Sequence, residues 1–478
     1  MGVNMIEQKE IIKFLRGLFG SDILLEDEIA EYYAYDAQPI KGEIPLAVVF
    51  PRTVEQVKTY LEYASKYRIP TYIRGGGTAL SGAPIPLAKN AVVMSMYKMN
   101  RILEVRLRDL QVRTEVGLTV DELNFHLERY GLLFPIDPGS SAAATLGGAI
   151  ANNAGGVKAV KYGCMKDGWV LSLEVVLPNG TIIETGTNTI KAAAGYNLTS
   201  LFVGSEGTLG VITKATLKLT AKPRYKVAVR AYFSDEREAA EFVVKLLRMG
   251  LEPTAIEFLD RDTLKAVKLY SGLEYKGNAM ILVEFAGSMK EDIEKKLDML
   301  VDVLKNEGAL DVEWSKSEEE YQRIWMARKA AAPSLGNLKP KYLILDPTVP
   351  ISKIPDLVDV CRRIAEKYGL IIATFGHAGD GNLHPNVLYD PLDKEEFERA
   401  VKAAKEIAIE TIRLGGTISG EHGVGLEKIE TFRIEAGKEK LDLMWKIKKL
   451  FDPMGILNPG KLFPREYWEE LWNNELHI

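Results

Sequence analysis

Three of the chain's five histidines fall in two glycine-rich bursts. The first is Gly376-His377-Ala378-Gly379-Asp380-Gly381-Asn382-Leu383-His384-Pro385-Asn386, and the second is Ser419-Gly420-Glu421-His422-Gly423-Val424-Gly425. A lone histidine is usually a hydrogen-bonded polar group, but a pair inside a turn rich in Gly, Asp and Asn suggests another use. Glycines let the backbone fold tightly, so two imidazoles and a carboxylate can converge on one cation. His377, His384 and Glu421 would supply two nitrogens and one oxygen and leave positions open for a substrate. That is the ligand set of an open zinc site, and equally of a non-haem iron site. Asp380 is either a competing ligand or the residue that holds the turn together. The spacing is neither a zinc-finger nor a His-Glu-x-x-His pattern, so chemistry alone leaves the metal open.

A second chemistry lies on the N-terminal side of Thr220. Arg74-Gly75-Gly76-Gly77-Thr78-Ala79-Leu80-Ser81-Gly82 can aim successive backbone N–H groups at phosphate oxygens with no Cβ in the way. Pro138-Gly139-Ser140-Ser141 leads into Thr145-Leu146-Gly147-Gly148, and Asn152-Asn153 precede Gly155-Gly156. A third glycine-rich stretch covers 195–210. One such loop would be only a tight turn; three in succession point to a large ligand lying across them. The dinucleotide fingerprint Gly-x-Gly-x-x-Gly fails, because Leu80 and Lys428 occupy its third position in the two nearest candidates. No Gly-x-x-x-x-Gly-Lys-Ser/Thr occurs.

The elements that must position these residues change character along the chain. Residues 5–19 have helical spacing and stop at Gly20. Ala47 to Phe50 reads as a strand, a helix runs on to Tyr67, Thr71 to Ile73 reads as a strand, and the glycine loop follows. That order belongs to α/β construction. After Pro223, amphipathic helices at 234–249, 289–307 and 392–414 alternate with β-like runs at 225–232, 280–286 and 342–349, an α+β pattern with an antiparallel sheet. The last helix runs from Lys438 to Phe451. These shifts divide the 478 residues into 1–221, 222–428 and 429–478. The balance of 61 Lys and Arg against 66 Asp and Glu gives no basic excess for nucleic acid. The 46% hydrophobic content supports full cores rather than disorder. Cys164 and Cys361 are too few for a disulfide scaffold or a self-contained iron–sulfur cluster. With no membrane-spanning apolar run, the chain reads as soluble and cytoplasmic, at most peripheral at the inner face of a membrane.

Pro51-Arg52-Thr53-Val54-Glu55-Gln56-Val57, Arg74 to Gly82, Asp137 to Gly156 and Gly204-Ser205-Glu206-Gly207-Thr208-Leu209-Gly210-Val211 together resemble the vanillyl-alcohol oxidase/p-cresol methylhydroxylase superfamily. The resemblance implies a two-subdomain FAD-binding domain at 1–221, an α+β substrate (cap) domain carrying the metal site at 222–428, and a short helical return to the flavin domain at 429–478. It implies FAD contacts from Arg74, Gly75, Gly76, Gly77, Thr78, Ser81, Gly82, Pro138, Gly139, Ser141, Thr145, Gly147, Gly148, Asn152, Gly155 and Gly156. Glu206, Gly207, Gly210, Val211, Ile212 and Asn458 complete that set. Some members attach the flavin through a histidine after the glycines; Thr78 stands there, which implies non-covalent FAD.

Both histidine bursts resemble the C-terminal domain of D-lactate dehydrogenases, glycolate oxidase FAD subunits and D-2-hydroxyglutarate dehydrogenases. The likeness implies His377, His384 and Glu421 as ligands of a divalent cation, zinc first with iron or manganese as alternatives, and His422 as the base. It implies Arg328, in Trp325-Met326-Ala327-Arg328-Lys329, as the grip on the substrate carboxylate, with Lys341 as a second positive group. Ala332 stands where some hydroxyglutarate enzymes carry threonine, which argues against a long diacid. The expected reaction is FAD-dependent oxidation of a D-2-hydroxy acid, D-lactate or glycolate first, to the 2-oxo acid. Electrons would leave to a quinone, a cytochrome, an electron-transferring flavoprotein or a separate iron–sulfur subunit, and a homodimer is allowed. Two other readings are an alkyl transferase resembling alkyldihydroxyacetonephosphate synthase and a non-catalytic flavoprotein subunit; neither needs the His/His/Glu/His set.

Overall fold

Ala47-Val48-Val49 and Val92-Val93-Met94 are apolar without alternation, and all six side chains are fully buried. Such runs suit parallel strands covered on both faces. In the computed structural model, which describes residues 7–25, 28–29, 31–38, 40–272 and 274–472, they pair in parallel, Ala47 opposite Val92 and Val49 opposite Met94. Strand Thr71–Arg74 runs parallel on the other side of Val92–Ser95, and Ile23–Leu25 closes the opposite edge antiparallel. The connecting helix Val54–Tyr67 starts where the Thr53 side chain accepts the Gln56 N–H, the expected capping arrangement.

The chain divides into two units: residues 1–155, 164–222 and 421–478 form the first, and 156–163 and 223–420 the second. The first also holds a five-stranded antiparallel sheet, in the order Ile102–Arg106, Gln111–Glu115, Val211–Lys218, Val170–Val176, Ile182–Gly186. Its C-terminal segment is tied in by a buried ion pair. The Lys448 ammonium reaches Asp452 at 2.5 Å and the carbonyls of Thr208 and Leu457 at 2.7 and 3.0 Å. Helix Ile429–Phe451 breaks at Gly437 (φ 70°), so its second half begins at the expected Lys438, but it is not the last: helix Arg465–Trp472 follows.

The second unit is one seven-stranded, wholly antiparallel sheet. Its order is Asp311–Trp314, Tyr225–Phe233, Ala279–Gly287, Ala255–Leu259, Ile371–His377, Asn382–Tyr389, Lys341–Ile344. Alternate residues enter two cores. Helices Glu236–Arg248, Lys290–Asn306, Ile354–Tyr368 and Lys394–Arg413 cover one face, and Arg261–Ser271 and Glu318–Ser334 cover the other. The fold is therefore mixed α+β, as the sequence pattern indicates.

The boundary expected at 221/222 falls at 222/223, but the second falls at 420/421 rather than 428/429. The backbone explains the difference: the N–H groups of Leu426 and Glu427 donate to the Ser81 carbonyl, so this stretch belongs with the first unit. Residues 156–163 leave it because Lys161 donates to the Ala286 carbonyl in the second unit's sheet. The run expected at 342–349 is a continuous strand only over Lys341–Ile344; Pro347 lacks the N–H a ladder needs, and past Ile344 the run makes isolated bridges, Asp346 to Ser419 and Thr348 to Asn382 and Thr417. Residues 5 and 6 of the first expected helix lie outside the described residues; the rest forms Gln8–Phe19. No helix among the described residues is long and apolar enough to cross a membrane.

Candidate functional site

The first histidine burst folds as the turn of a β-hairpin. Strand Ile371–His377 pairs with Asn382–Tyr389, placing Phe375 opposite His384 and His377 opposite Asn382. Gly381 turns at φ 89°, and a Cβ there would meet the Val349 carbonyl oxygen at 2.2 Å. Asp380 holds the turn by accepting the Asn382 N–H at 3.1 Å. Cross-strand partners share a sheet face, so His377 and His384 come together: their rings lie 5.2 Å apart, edge to face, both nearly buried.

Each histidine has a carboxylate behind it. His377 Nδ1 lies 2.8 Å from Glu257 Oε1, and His384 Nδ1 lies 3.6 Å from Asp346 Oδ1. Asp346 is itself fixed by Asn382 Nδ2 at 2.9 Å and by the Ser419 hydroxyl at 2.8 Å. Glu257 sits in strand Ala255–Leu259, next along from the Phe258–Gly376 pair, and therefore faces His377. Its second oxygen accepts from Arg328 Nε. The Arg328 guanidinium lies 4.9 Å over the Phe375 ring, an arrangement that favours the cation. Helix Glu318–Ser334 thus brings Arg328 to the face that carries the histidines.

Lys341 is not brought to that face. It lies opposite Tyr389 at the sheet edge, and Tyr389 packs into the opposite core. Strand alternation leaves Ile344, opposite Asn386, at the corresponding position beside Asp346. Asn386, which the sequence reading did not single out, is two residues past His384 and so shares its face. It is fully buried; its Nδ2 donates to the carbonyls of Ala373 and His384, while its Oδ1 has no partner among the described residues. Its signal was present in the sequence as a polar residue at period two from His384. Glu257 left none beyond being a charge in the apolar run Ala255–Leu259.

In the first unit the glycine loop is a cradle of donors. Among the described residues, nothing accepts from the backbone N–H groups of Gly76, Gly77, Thr78, Ala79, Leu80 or Ser81. Backbone donors are nearly always paired in folded proteins, so a row of six suits a polyanion such as a pyrophosphate. The loop needs its glycines for close approach: a Cβ on Gly76 would lie 1.9 Å from the Ala143 carbonyl oxygen, and one on Gly75 2.3 Å from Thr145 Oγ1. The segment Pro138–Ser141 turns back on itself, Ser141 N–H to Pro138 carbonyl. Thr145 caps the short helix Leu146–Ala151, with Gly147 and Gly148 in its first turn and Asn152 at its end. Gly155 and Gly156 mark the point where the chain leaves this unit.

Several of the expected cofactor residues also have protein partners. Arg74 donates to the Tyr35 carbonyl at 2.6 Å and lies over the rings of Tyr32 and Tyr33, beneath Gly77. The two Glu206 oxygens accept the N–H groups of Val424 and Gly425, each at 2.7 Å. Asn458 bridges the Ile73 N–H and the Glu206 carbonyl, and Gly207 packs against it. Val211 and Ile212 pair with Val176 and Val175 inside the five-stranded sheet, with Gly210 against Val175. Gly82 donates to Asp36. Burial raises the carboxyl pKa of Glu206 and Asp36 and pushes the enclosed Lys461 ammonium down to about 7. Glu421 and His422 also lie in this unit, directly before the Glu206-held amides.

Residues 45–186 match the family described as FAD binding domain, and residues 222–462 the family described as FAD linked oxidases, C-terminal domain. The chain is 40% identical over 436 residues to the glycolate oxidase subunit GlcD of Bacillus subtilis, covering 91% of this chain and 92% of that one. It is 38% identical over 419 residues to a D-lactate dehydrogenase of Archaeoglobus fulgidus, covering 87% and 90%. Among solved structures, p-cresol methylhydroxylase with substrate bound superposes with a TM-score of 0.78 over 96% of this chain and 98% of that one, at 19% identity, a likeness of fold.

Proposed function

Because the chain belongs to the family of FAD-linked oxidases, we propose that it is an FAD-dependent dehydrogenase converting a small D-2-hydroxy acid to the 2-oxo acid. The observation that carries this reading is the sheet face gathering His377, His384, Asn386 and Arg328. Two imidazoles, an amide and a guanidinium suit a substrate with a carboxylate beside a hydroxyl.

Bound FAD supplies the hydride acceptor, and the donor row from Gly76 to Ser81 would hold its pyrophosphate. A divalent cation on His377, His384 and Glu421, zinc first, supplies Lewis-acid polarisation of the substrate. Placing Glu421 with the histidines is supported by chain continuity. It is one peptide bond from Gly420, whose N–H donates to the Asp346 carbonyl at 3.0 Å, and the Asp346 carboxylate backs His384. Arg328, held through Nε, keeps its two Nη groups for the substrate carboxylate, a bidentate fork. His422 would accept the hydroxyl proton on a ring nitrogen, chemistry suited to an imidazole near neutral pH. D-lactate and glycolate are the first candidate substrates. The electron acceptor lies outside the chain: a quinone, a cytochrome, an electron-transferring flavoprotein or an iron–sulfur subunit. Two free thiols, Cys164 and Cys361, fit a reducing cytoplasm.

The test is an anaerobic visible spectrum of the purified protein during addition of L-lactate, then D-lactate, then glycolate. Bleaching of oxidised flavin by D-lactate or glycolate but not by L-lactate is the expected result. A flavin band unchanged by a panel of D-2-hydroxy acids would overturn the reaction class. Failure to bind FAD on reconstitution would overturn the cofactor.

A further inference from the structure

We propose that Glu257 is a positioning residue whose single carboxylate sets the ligand-facing side of both His377 and Arg328. The inference rests on the reading above, in which His377 meets a cation and Arg328 a substrate carboxylate. Glu257 is fully buried in the middle of Ala255–Leu259, a strand whose other four residues are apolar and buried. An ionised carboxylate is costly there unless its oxygens are engaged, and its two oxygens meet different groups: Oε1 faces His377 Nδ1 at 2.8 Å and Oε2 accepts from Arg328 Nε.

The consequence follows atom by atom. A carboxylate only accepts, so a neutral His377 would carry its proton on Nδ1, on the Glu257 side, and present its lone pair at Nε2 on the other side of the ring. On Arg328, using Nε for Glu257 takes the side edge of the guanidinium and leaves the Nη1/Nη2 end for a second carboxylate. The Phe375 ring lies below that guanidinium, its centroid 4.9 Å from Cζ. The geometry is set by strand register, since Glu257 and His377 are cross-strand neighbours beside the Phe258–Gly376 pair. One buried acid therefore coordinates the direction of two binding groups that lie 71 and 120 residues from it.

The test uses the full-length, FAD-loaded chain and the variant Glu257→Gln. Because the protein has five histidines, ¹⁵N resonances of the metal-free protein can be assigned to His377 by comparison with His377→Gln. The wild type should show His377 protonated at Nδ1. Glu257→Gln, which can offer that ring a donor instead of an acceptor, should shift the tautomer towards Nε2. It should also weaken Zn²⁺ binding, measured against a competing chelator, by roughly 10–100-fold, and raise KM for the D-2-hydroxy acid more than it lowers kcat. Glu257→Asp, which keeps the charge and both oxygens, should recover part of each effect, and it serves alone if the Gln variant does not fold. An unchanged His377 tautomer in the variant overturns the proposal, as does a changed tautomer with Zn²⁺ affinity and KM both intact. A wild type that binds no Zn²⁺ and oxidises no D-2-hydroxy acid would sink the functional reading instead, while the tautomer comparison would still decide whether Glu257 holds His377.

Discussion

Arg328 is bonded through Nε to Glu257 and stacked on Phe375, so its planar fork arrives with most of its freedom already lost. A lysine at this position would keep the charge but could satisfy neither the Nε bond nor a two-point grip. Arg328→Lys should therefore lower kcat/KM for a D-2-hydroxy acid by about a hundredfold, roughly 2.7 kcal/mol of transition-state stabilisation, with flavin content unchanged. Steady-state kinetics with an artificial acceptor, alongside the flavin absorbance of each preparation, reads both quantities. A loss confined to flavin content would move Arg328 out of substrate binding. Sequence alone singled out Arg328 only through a resemblance, because a basic residue on a helix has a surface ion pair as its ordinary explanation.

The strands that carry the histidines depend on Asp260. It caps helix Arg261–Ser271 by accepting the Thr263 N–H at 2.8 Å, and it accepts the Thr374 N–H at 2.6 Å, joining the Ala255–Leu259 segment to the Ile371–His377 strand. Burial, then repulsion from Glu236, pushes its carboxyl up from 3.8 to about 8. The folded state then holds a proton that the unfolded chain releases near pH 4. Its contribution to stability is complete below that pH and is lost as pH rises to about 8. Denaturant midpoints of the wild type should carry a component that falls across this window, and Asp260→Asn should flatten it. The variant should also lose about 1 kcal/mol at acidic pH, because an amide oxygen can replace only one of the two acceptors. Equal slopes in both proteins would contradict the buried-acid account. Elements with a strong period were legible in sequence: the helices at 236–248, 290–306 and 394–413 lie within two residues of expectation. Helix Glu318–Ser334 was not, since half of its buried residues are alanine and it contains Pro333, which blurs the 3.6-residue stripe.

At the scale of the whole molecule, the donor cradle lies in the first unit and the paired histidines in the second, so cofactor and cation are expected to be separable. Dialysis against a strong chelator should leave the flavin band intact and slow its reduction by D-lactate at least a hundredfold, with Zn²⁺, Fe²⁺ or Mn²⁺ restoring the rate. A chelated protein that reduces its flavin at full speed would remove the metal from the reading. The amino-acid sequence by itself determined the glycine cradle, the hairpin burst and the family. Those signals are local, being backbone positions where a Cβ cannot fit or a positive φ is needed, as at Gly76 and Gly381. Tertiary structure alone decided that Glu257 stands behind His377 and Arg328, that Glu206 faces backbone amides rather than solvent, and that Lys341 lies across the sheet from His384. Each of these depends on strand register or on contacts between segments far apart in sequence, and a one-residue shift in register would send every such side chain to the other face.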